Sequence, residues 1–458
     1  MEASCPGCAR LRQEVAELKA RIEQLERALE QALRAGQRQA APFAKRPPKA
    51  EPEKPGRKAG EQHGQHGHRP PPEHIDECHE AVLPAACPHC GGAVREIEVV
   101  QQYQTEIPRK PVIRQFNIHR GQCQCCGTPL QGRHPLQTSD ALGAAASQVG
   151  PDAQAAVVYL NKHAGLSYGK VAHVFDTLFG ISLSRGACAQ IVLRAGQRLQ
   201  PAYQEIRQRL PNAEVITPDE TGWRIGGHAV WLHAWVGDEG LTCYHIDPHR
   251  SADALERVIG SDWSGLFVHD GWASYDRFAD ACHQQCQAHL LRRAHHLEEA
   301  AAGRAKAFPR RVIDLFQESL RVRDRFDLRP PSLDTREQVF EEFTERLLDL
   351  TERPRAGAAH QRLAAHLRHY LPQWFLFLIN PVVPATNYRG EQAMRPAVVN
   401  RKVWGGNRTD AGAQAQAVTM SVLQTCKQQA QDALTYVSQT LCGAVTSLFA
   451  PCQAPAGR

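Results

Sequence analysis

The hydrophobic positions of the 458-residue chain change period several times along its length. Each change marks a different kind of element. Leu11, Val15, Leu18, Ile22, Leu25, Leu29 and Ala32 recur in alternating steps of four and three, with Glu, Arg, Gln and Lys between them. That heptad seam predicts a coiled coil over 9–36, suited to a homodimer or higher oligomer. An amphipathic helix docked on its own domain shares the pattern. From 37 to 72 the text turns to Pro, Lys, Gly and His, a basic linker that cannot bury a core. It is a tether or, more sharply, a phosphate-contacting arm. Between 134 and 208 a helical period returns, with Ser167 and Ser184 placed as N-caps and Gly180 as a C-cap. A helix ending in Phe-Gly, a short turn and a new helix opening with Ser-Arg resembles a helix-turn-helix. The segment is therefore a candidate DNA-binding region, with a plain helical hairpin as the other reading.

After Pro211 the period shortens to two. "AEVITPDETGWRI", "HAVWLHAWVGD" and "LTCYHIDPH" read as strands joined by turns, "SADALERVIG" as a helix, and "GLFVHDGWASYD" as a strand ending in an acid. Three hairpin-connected strands, a helix and a further strand match the start of an RNase H-like fold. On that reading 209–300 is the first part of a catalytic core. Helical period resumes over 301–380, an α-helical insertion. The core returns over 381–430, and 431–458 is a C-terminal helix and tail. The fold class is multidomain α+β.

Composition narrows the chemistry. Hydrophobic residues make up 42% and charged residues 22%, as in a soluble globular protein, and the net charge of +6 suits a nucleic-acid partner without demanding one. The N-terminus lacks the pattern of a secretory signal, and no apolar run is long enough to span a membrane, so the expected compartment is the cytoplasm. Fifteen cysteines in such a chain read as thiols or metal ligands rather than disulfides. Cys87-Pro-His-Cys90 and Cys123-Gln-Cys-Cys126 flank strand-like text, which makes 73–133 a zinc ribbon-like domain. Two thiolates at that spacing turn onto one tetrahedral ion, so one structural Zn²⁺ is expected. A pair of turns with buried thiols is the bland alternative.

Asp219 falls on the first strand of the core and Asp270 at the end of the fourth, so both can face one cleft. Two Mg²⁺ (or Mn²⁺) ions in such a cleft need hard oxygen ligands, which are Asp and Glu rather than His or Cys. The third acid is placed at Glu391, which shares a helical face with Asn387 and Arg395 until Pro396 interrupts it. Taken singly, each acid also reads as a turn or solvated residue, and other carboxylates compete.

"PDETGWRIGGHAVWLHAWV", "HDGWASYDRF", "CQAHLLRR" and "NYRGEQAMRPAVVNRKVWGGNRTDAGAQAQAVTMSVLQT" closely resemble motifs of the insertion-sequence-66 family of transposases, as does the module order from about Leu11 to about Cys442. The resemblance implies that Asp219, Asp270 and Glu391 hold the DDE positions. It also implies metal-dependent cleavage at terminal inverted repeats of double-stranded DNA, then attack of the freed 3′-hydroxyl on target DNA. Companion proteins of the same element are implied as well. The chain departs from the family pattern at Tyr388 and Gln392. Cys286 and His289 look like the Cys-x-x-His element of several transposase families and are assigned to positioning DNA, with helix packing as the alternative. Candidate DNA contacts are His289, Arg292, Arg293, Arg395, Arg401, Lys402 and Arg408, against a plain solvated surface. Two other classes fit less of the chain: a DNA-binding regulator that has lost catalysis, and an RNase H-like nuclease without end specificity.

Overall fold

The computed structural model describes residue 21 and residues 71–449 apart from 96, 106, 108–109, 144–147, 353–356 and 445–446. The coiled coil expected over 9–36 and nearly all of the linker lie outside the described residues. From residue 71 on, the described residues fall into two compact units, one ending at Val112 and the other beginning at Ile113.

In the first unit Cys87 opens a tight turn. Its N–H donates to Gly92 O at 2.9 Å, and its carbonyl accepts from Gly91 N–H at 2.8 Å, with Gly91 at φ 72°. The text at 95–107 that reads as strand forms none among the described residues, and Ile97, Val99 and Val100 are exposed. Extended backbone needs a neighbour for its N–H and C=O groups, and no strand pairs with it there.

The second unit begins with a hairpin, β1 (Arg120–Gln122) against β2 (Pro129–Gln131). Of the strand expected over 112–120, Arg120 alone is paired. The hairpin carries the second cysteine turn, which repeats the first bond for bond. Cys123 N–H donates to Thr128 O and Gly127 N–H to Cys123 O, both at 2.9 Å.

Four helices follow: α1 (Pro151–Lys162), α2 (Tyr168–Phe179), α3 (Arg185–Arg198) and α4 (Gln200–Arg209). Ser167 accepts from Lys170 N–H and Ser184 from Ala187 N–H, and Gly180 closes α2 in the left-handed region at φ 64°. These helices do not stand apart from the core. Val158, Ile191, Val192, Tyr203 and Ile206 share one apolar cluster with Trp235 and Phe267 of the sheet.

The sheet has the order β5-β4-β3-β6-β7. β3 (Val215–Ile225), β4 (His228–Gly237) and β5 (Thr242–Asp247) are antiparallel neighbours, as their alternation predicts. Helix α5 (Ala252–Ile259) then carries the chain to β6 (Leu266–His269), parallel to β3, and β7 (Cys282–Gln285) pairs parallel with β6. Strand β7 was not expected, because Cys-His-Gln-Gln carries no apolar alternation.

Helices α6 (Gln287–Ala300), α7 (Ala307–Leu328), α8 (Leu333–Glu352), α9 (Ala358–His369) and α10 (Leu376–Ile379) follow. Phe316, Leu347, Leu363 and Trp374 of this region pack with Val215, Leu266 and Val268 of the sheet. Last come α11 (Tyr388–Trp404), α12 (Asp410–Gln428) and α13 (Ala433–Cys442). Contrary to expectation, Pro396 does not end its helix; α11 runs through it to Trp404. An interior proline costs about 3 kcal/mol. Burial of Ala393, Met394 and Ala397 against Trp223 and Leu232 offsets that cost.

Two polar ties join α1 to this end of the core. Lys162, 1% exposed, donates to Gln416 Oε1 of α12 at 2.5 Å, and Asn400 of α11 donates to the Lys162 carbonyl at 3.0 Å. Burial pulls the lysine pKa down to about 7. Helices α3 and α12 cross so closely that a Cβ on Gly196 would lie 2.7 Å from Ala415 Cβ and 2.8 Å from its Cα.

Gly196→Val is therefore expected to lower stability by about 1–3 kcal/mol through overpacking. Gly186→Ala, in the open first turn of the same helix, should be neutral or slightly stabilising. Urea midpoints of the two variants check the crossing; equal midpoints would contradict it.

Candidate active site

The parallel register Val215–Leu266 and Ile216–Phe267 leaves Asp219 and Asp270 each three residues beyond the last pair, on neighbouring stretches of chain. Asp219 is partly buried, and its carboxylate accepts from Glu220 N–H at 2.9 Å. Burial, then the charge of Glu220, then those of Asp270 and Glu391 push its pKa up to about 7. The three acids named from the sequence thus lie within electrostatic reach of one another.

Asp270 is exposed just beyond the end of β6, and Trp272 N–H donates to it at 3.1 Å. Two buried histidines brace the turn. Gly271 N–H donates to His269 Nδ1 at 3.1 Å, so the ring proton sits on Nε2 and is donated to His283 Nδ1 at 3.1 Å. His283 Nε2 in turn donates to Phe278 O at 3.1 Å. Burial first, and then His283, pull the His269 pKa down to about 3, which keeps the His269 ring neutral. Gly271 has φ 89°, and a Cβ there would meet Gln285 Oε1 at 2.8 Å. The turn needs glycine on both counts.

Glu391 stands in the first turn of α11. Its neighbour Gly390 lets the helix dock on β3: a Cβ there would lie 3.2 Å from Asp219 Cβ and from Pro218 O. Farther along, Arg401 donates to Thr221 Oγ1 at 2.7 Å and Gly222 O at 2.6 Å. Arg401, a candidate phosphate contact by its sequence position, thereby clips α11 to β3. Cys286 Sγ accepts from Asn387 N–H at 3.3 Å, tying the start of α6 to the start of α11. Three residues on, His289 Nε2 lies 3.6 Å and Arg292 Nη2 3.1 Å from the Glu391 carboxylate. The Cys-x-x-His element and the following arginine therefore converge on the third acid.

Arg293, Arg395, Lys402 and Arg408 are exposed. The Gly-rich turn between Lys402 and Arg408 is anchored to β3, with Asn407 N–H donating to Arg224 O at 2.8 Å and Trp223 Nε1 to Asn407 Oδ1 at 2.7 Å. Cys87 and Cys90 belong to one unit, Cys123 and Cys126 to the other. Sequence reading missed Glu220, Arg250, Tyr275 and the His269–His283 pair. Glu220 stood beside Asp219 in "PDET", but no local spacing links it to Arg250.

The donors at the acid cluster are hard carboxylate oxygens, and their mutual repulsion, visible at Asp219, is what a divalent cation relieves. Among the described residues no three His, Cys, Asp or Glu groups close around a single point, and Glu391 is paired with Arg292 instead. The chemistry of the donor set fits such an ion, with Asp219 and Asp270 as its base.

Against known proteins, the profile of the Transposase IS66 family matches residues 146–415, more than half of the chain. The chain belongs to that family. "Uncharacterized protein y4qI" of Sinorhizobium fredii (strain NBRC 101917 / NGR234) is 25% identical over 294 residues, 57% of this chain and 53% of the relative. The chain thus spans about half the length of that curated relative.

A carboxyl whose pKa rises on folding contributes stability that is complete below about pH 4 and lost as the pH climbs through about 7. Asp219→Asn is expected to stabilise the metal-free protein at pH 8, on the order of 1–2 kcal/mol after allowing for partial exposure. That corresponds to about 2–4 °C per kcal/mol in Tm. Mg²⁺ should raise the wild-type Tm and leave the Asn variant nearly unchanged. Identical melting of the two proteins at pH 8 in EDTA would refute the strained acid cluster.

Proposed function

We propose that the chain is a DDE transposase that binds the terminal inverted repeats of its own element, cleaves DNA there and transfers the freed strand to target DNA. One observation carries the reading. Three acids far apart in sequence, Asp219, Asp270 and Glu391, lie within electrostatic reach at one place, where the Asp270 turn leaves β6 and the Gly390 contact docks α11 on the middle of β3. The strand order, an antiparallel trio followed by two parallel strands with a helical region inserted afterwards, supports an RNase H-like core.

Two divalent cations of the Mg²⁺ or Mn²⁺ type would supply activation of a water or 3′-hydroxyl and charge for the departing oxygen. Asp219 and Asp270 would hold them, with Glu391 completing the set. The residues of this chain do the rest. Gly390 and Arg401 fix α11 against β3, with Glu391 in electrostatic reach of Asp219, the His269–His283 pair fixes the Asp270 turn, and Cys286 fixes the start of α11. Arg292 and His289 stand where they can meet a phosphate as well as Glu391. Arg293, Arg395, Lys402 and Arg408 extend the positive surface. Self-association through 9–36 and companion proteins of the element belong to the same reading.

Strand-transfer assays on duplexes bearing the repeats that flank the coding sequence test it. Wild type should act with Mg²⁺ or Mn²⁺, and Asp219→Ala, Asp270→Ala and Glu391→Ala should each fall by at least about 100-fold. Full activity in any of the three would remove that residue from the site. Repeat binding without cleavage by the wild type would favour the DNA-binding regulator. Cleavage without preference for the repeats would favour a plain nuclease.

Zinc is the proposed ligand of the cysteine pairs. Both close the same turn, and the backbone donors of that turn help to lower the Cys87 pKa, with His89 N–H the leading cause. Metal analysis of the full chain should find zinc that is lost when Cys87 and Cys126 are both replaced by serine. Zinc retained in that double variant would overturn the assignment.

A further inference from the structure

On the other face of β3 from Asp219 stands a group whose side chains bond to none of the three acids. The Glu220 side chain is 3% exposed and accepts from Arg250 Nε at 2.9 Å, from Arg250 Nη2, and from the Tyr275 hydroxyl at 2.9 Å. The Arg250 guanidinium lies over two indoles, 5.1 Å from the ring centre of Trp231 and 4.5 Å from that of Trp272. The guanidinium and the two indoles thus make one cation–π stack.

This stack adjoins the candidate active site through the chain itself. Trp272 N–H is bonded to the Asp270 carboxylate, so ring and acid belong to one short turn. Trp231 is paired across the sheet with Gly222, which offers no side chain to cover that flank. Core tryptophans in this protein look different. Trp223 and Trp235 are at most 1% exposed, whereas Trp231 and Trp272 stay partly open and Arg250 is exposed. The charge of Arg250 is matched by Glu220, so the stack is not primarily a phosphate magnet. What it offers is flat aromatic surface beside the acids, the feature by which proteins hold unpaired bases.

We propose that Trp231, Arg250 and Trp272 form a stacking site for an unpaired nucleobase of the DNA strand whose phosphate reaches Asp219 and Asp270. The inference rests on the transposase reading above. Where the duplex opens to let a strand phosphate enter the cleft, the bases beside it lose their stacking, and an aromatic surface compensates for that loss.

The test uses the full-length protein and two duplexes carrying the terminal repeat. One is fully paired; the other is mismatched at the base pairs flanking the cleavage site. Trp272→Ala and Trp231→Ala should each cleave the paired end about 10- to 100-fold more slowly than wild type. On the mismatched end both should come within about threefold of wild type. Trp272→Phe, which keeps a ring, should retain most activity on both and guards against a folding defect in the alanine variant. Wild-type rates for the alanine variants on paired ends would overturn the stacking site. So would equal losses on both duplexes, which would make the tryptophans a brace for Glu220 and Asp270. A wild-type protein that cleaves neither duplex would instead sink the transposase reading and the stacking site with it.

Discussion

Two residue pairs, Val215 with Leu266 and Ile216 with Phe267, hold β6 parallel to β3, and the acid cluster depends on that short ladder. Parallel strands of this kind are buried on both faces, which locks their register against slippage. Here Val215, Ile216, Leu266, Phe267 and Val268 are all buried, with Ile216 and Phe267 in one apolar cluster and Val215, Leu266 and Val268 in another. A one-residue slip would place Phe267 in the wrong cluster and pull Asp270 away from Asp219. The apolar cores thus set the position of charges that they never touch.

Electrostatics then works against the fold at the same place. Asp219 is a partly buried acid beside Glu220, with Asp270 and Glu391 in reach, and its raised pKa records that cost. Positive groups distribute themselves around the cluster. Arg250 takes Glu220 on one face of β3, while Arg292 takes Glu391 on the other side of the cleft. Asp270 accepts a backbone N–H from its own turn. Each acid keeps a different partner, and the cluster remains open at its exposed end.

The sequence made some of this legible and hid the rest, for physical reasons. Strands β3, β4 and β5 are short runs rich in β-branched and aromatic residues between turn signals, so Asp219 could be placed on a strand from text alone. Ser167, Gly180 and Ser184 mark helix ends through local backbone chemistry and were equally readable. Strand β7 was not. His283, Gln284 and Gln285 are buried, but their side chains bond to backbone and to Gln373, so burial leaves no apolar signature. The path of α11 through Pro396 was hidden for a related reason, since the packing that offsets the proline comes from residues more than 150 positions away. Glu391 could be named as an acid on a helix, yet the contact that aims it is a glycine without a side chain to read.

Helix α11 is held at three separated points: Gly390 against β3, Arg401 clipped to the same strand, and Asn400 tied to the end of α1. Each residue added to an α-helix turns everything beyond it by about 100°. An insertion or deletion of one residue between Gly390 and Asn400 would leave one anchor facing its partner and swing the other into solvent. An exposed position between them, Gln392, is free to change in kind. The spacing between the anchors is not, so length rather than composition is what this stretch of chain must preserve.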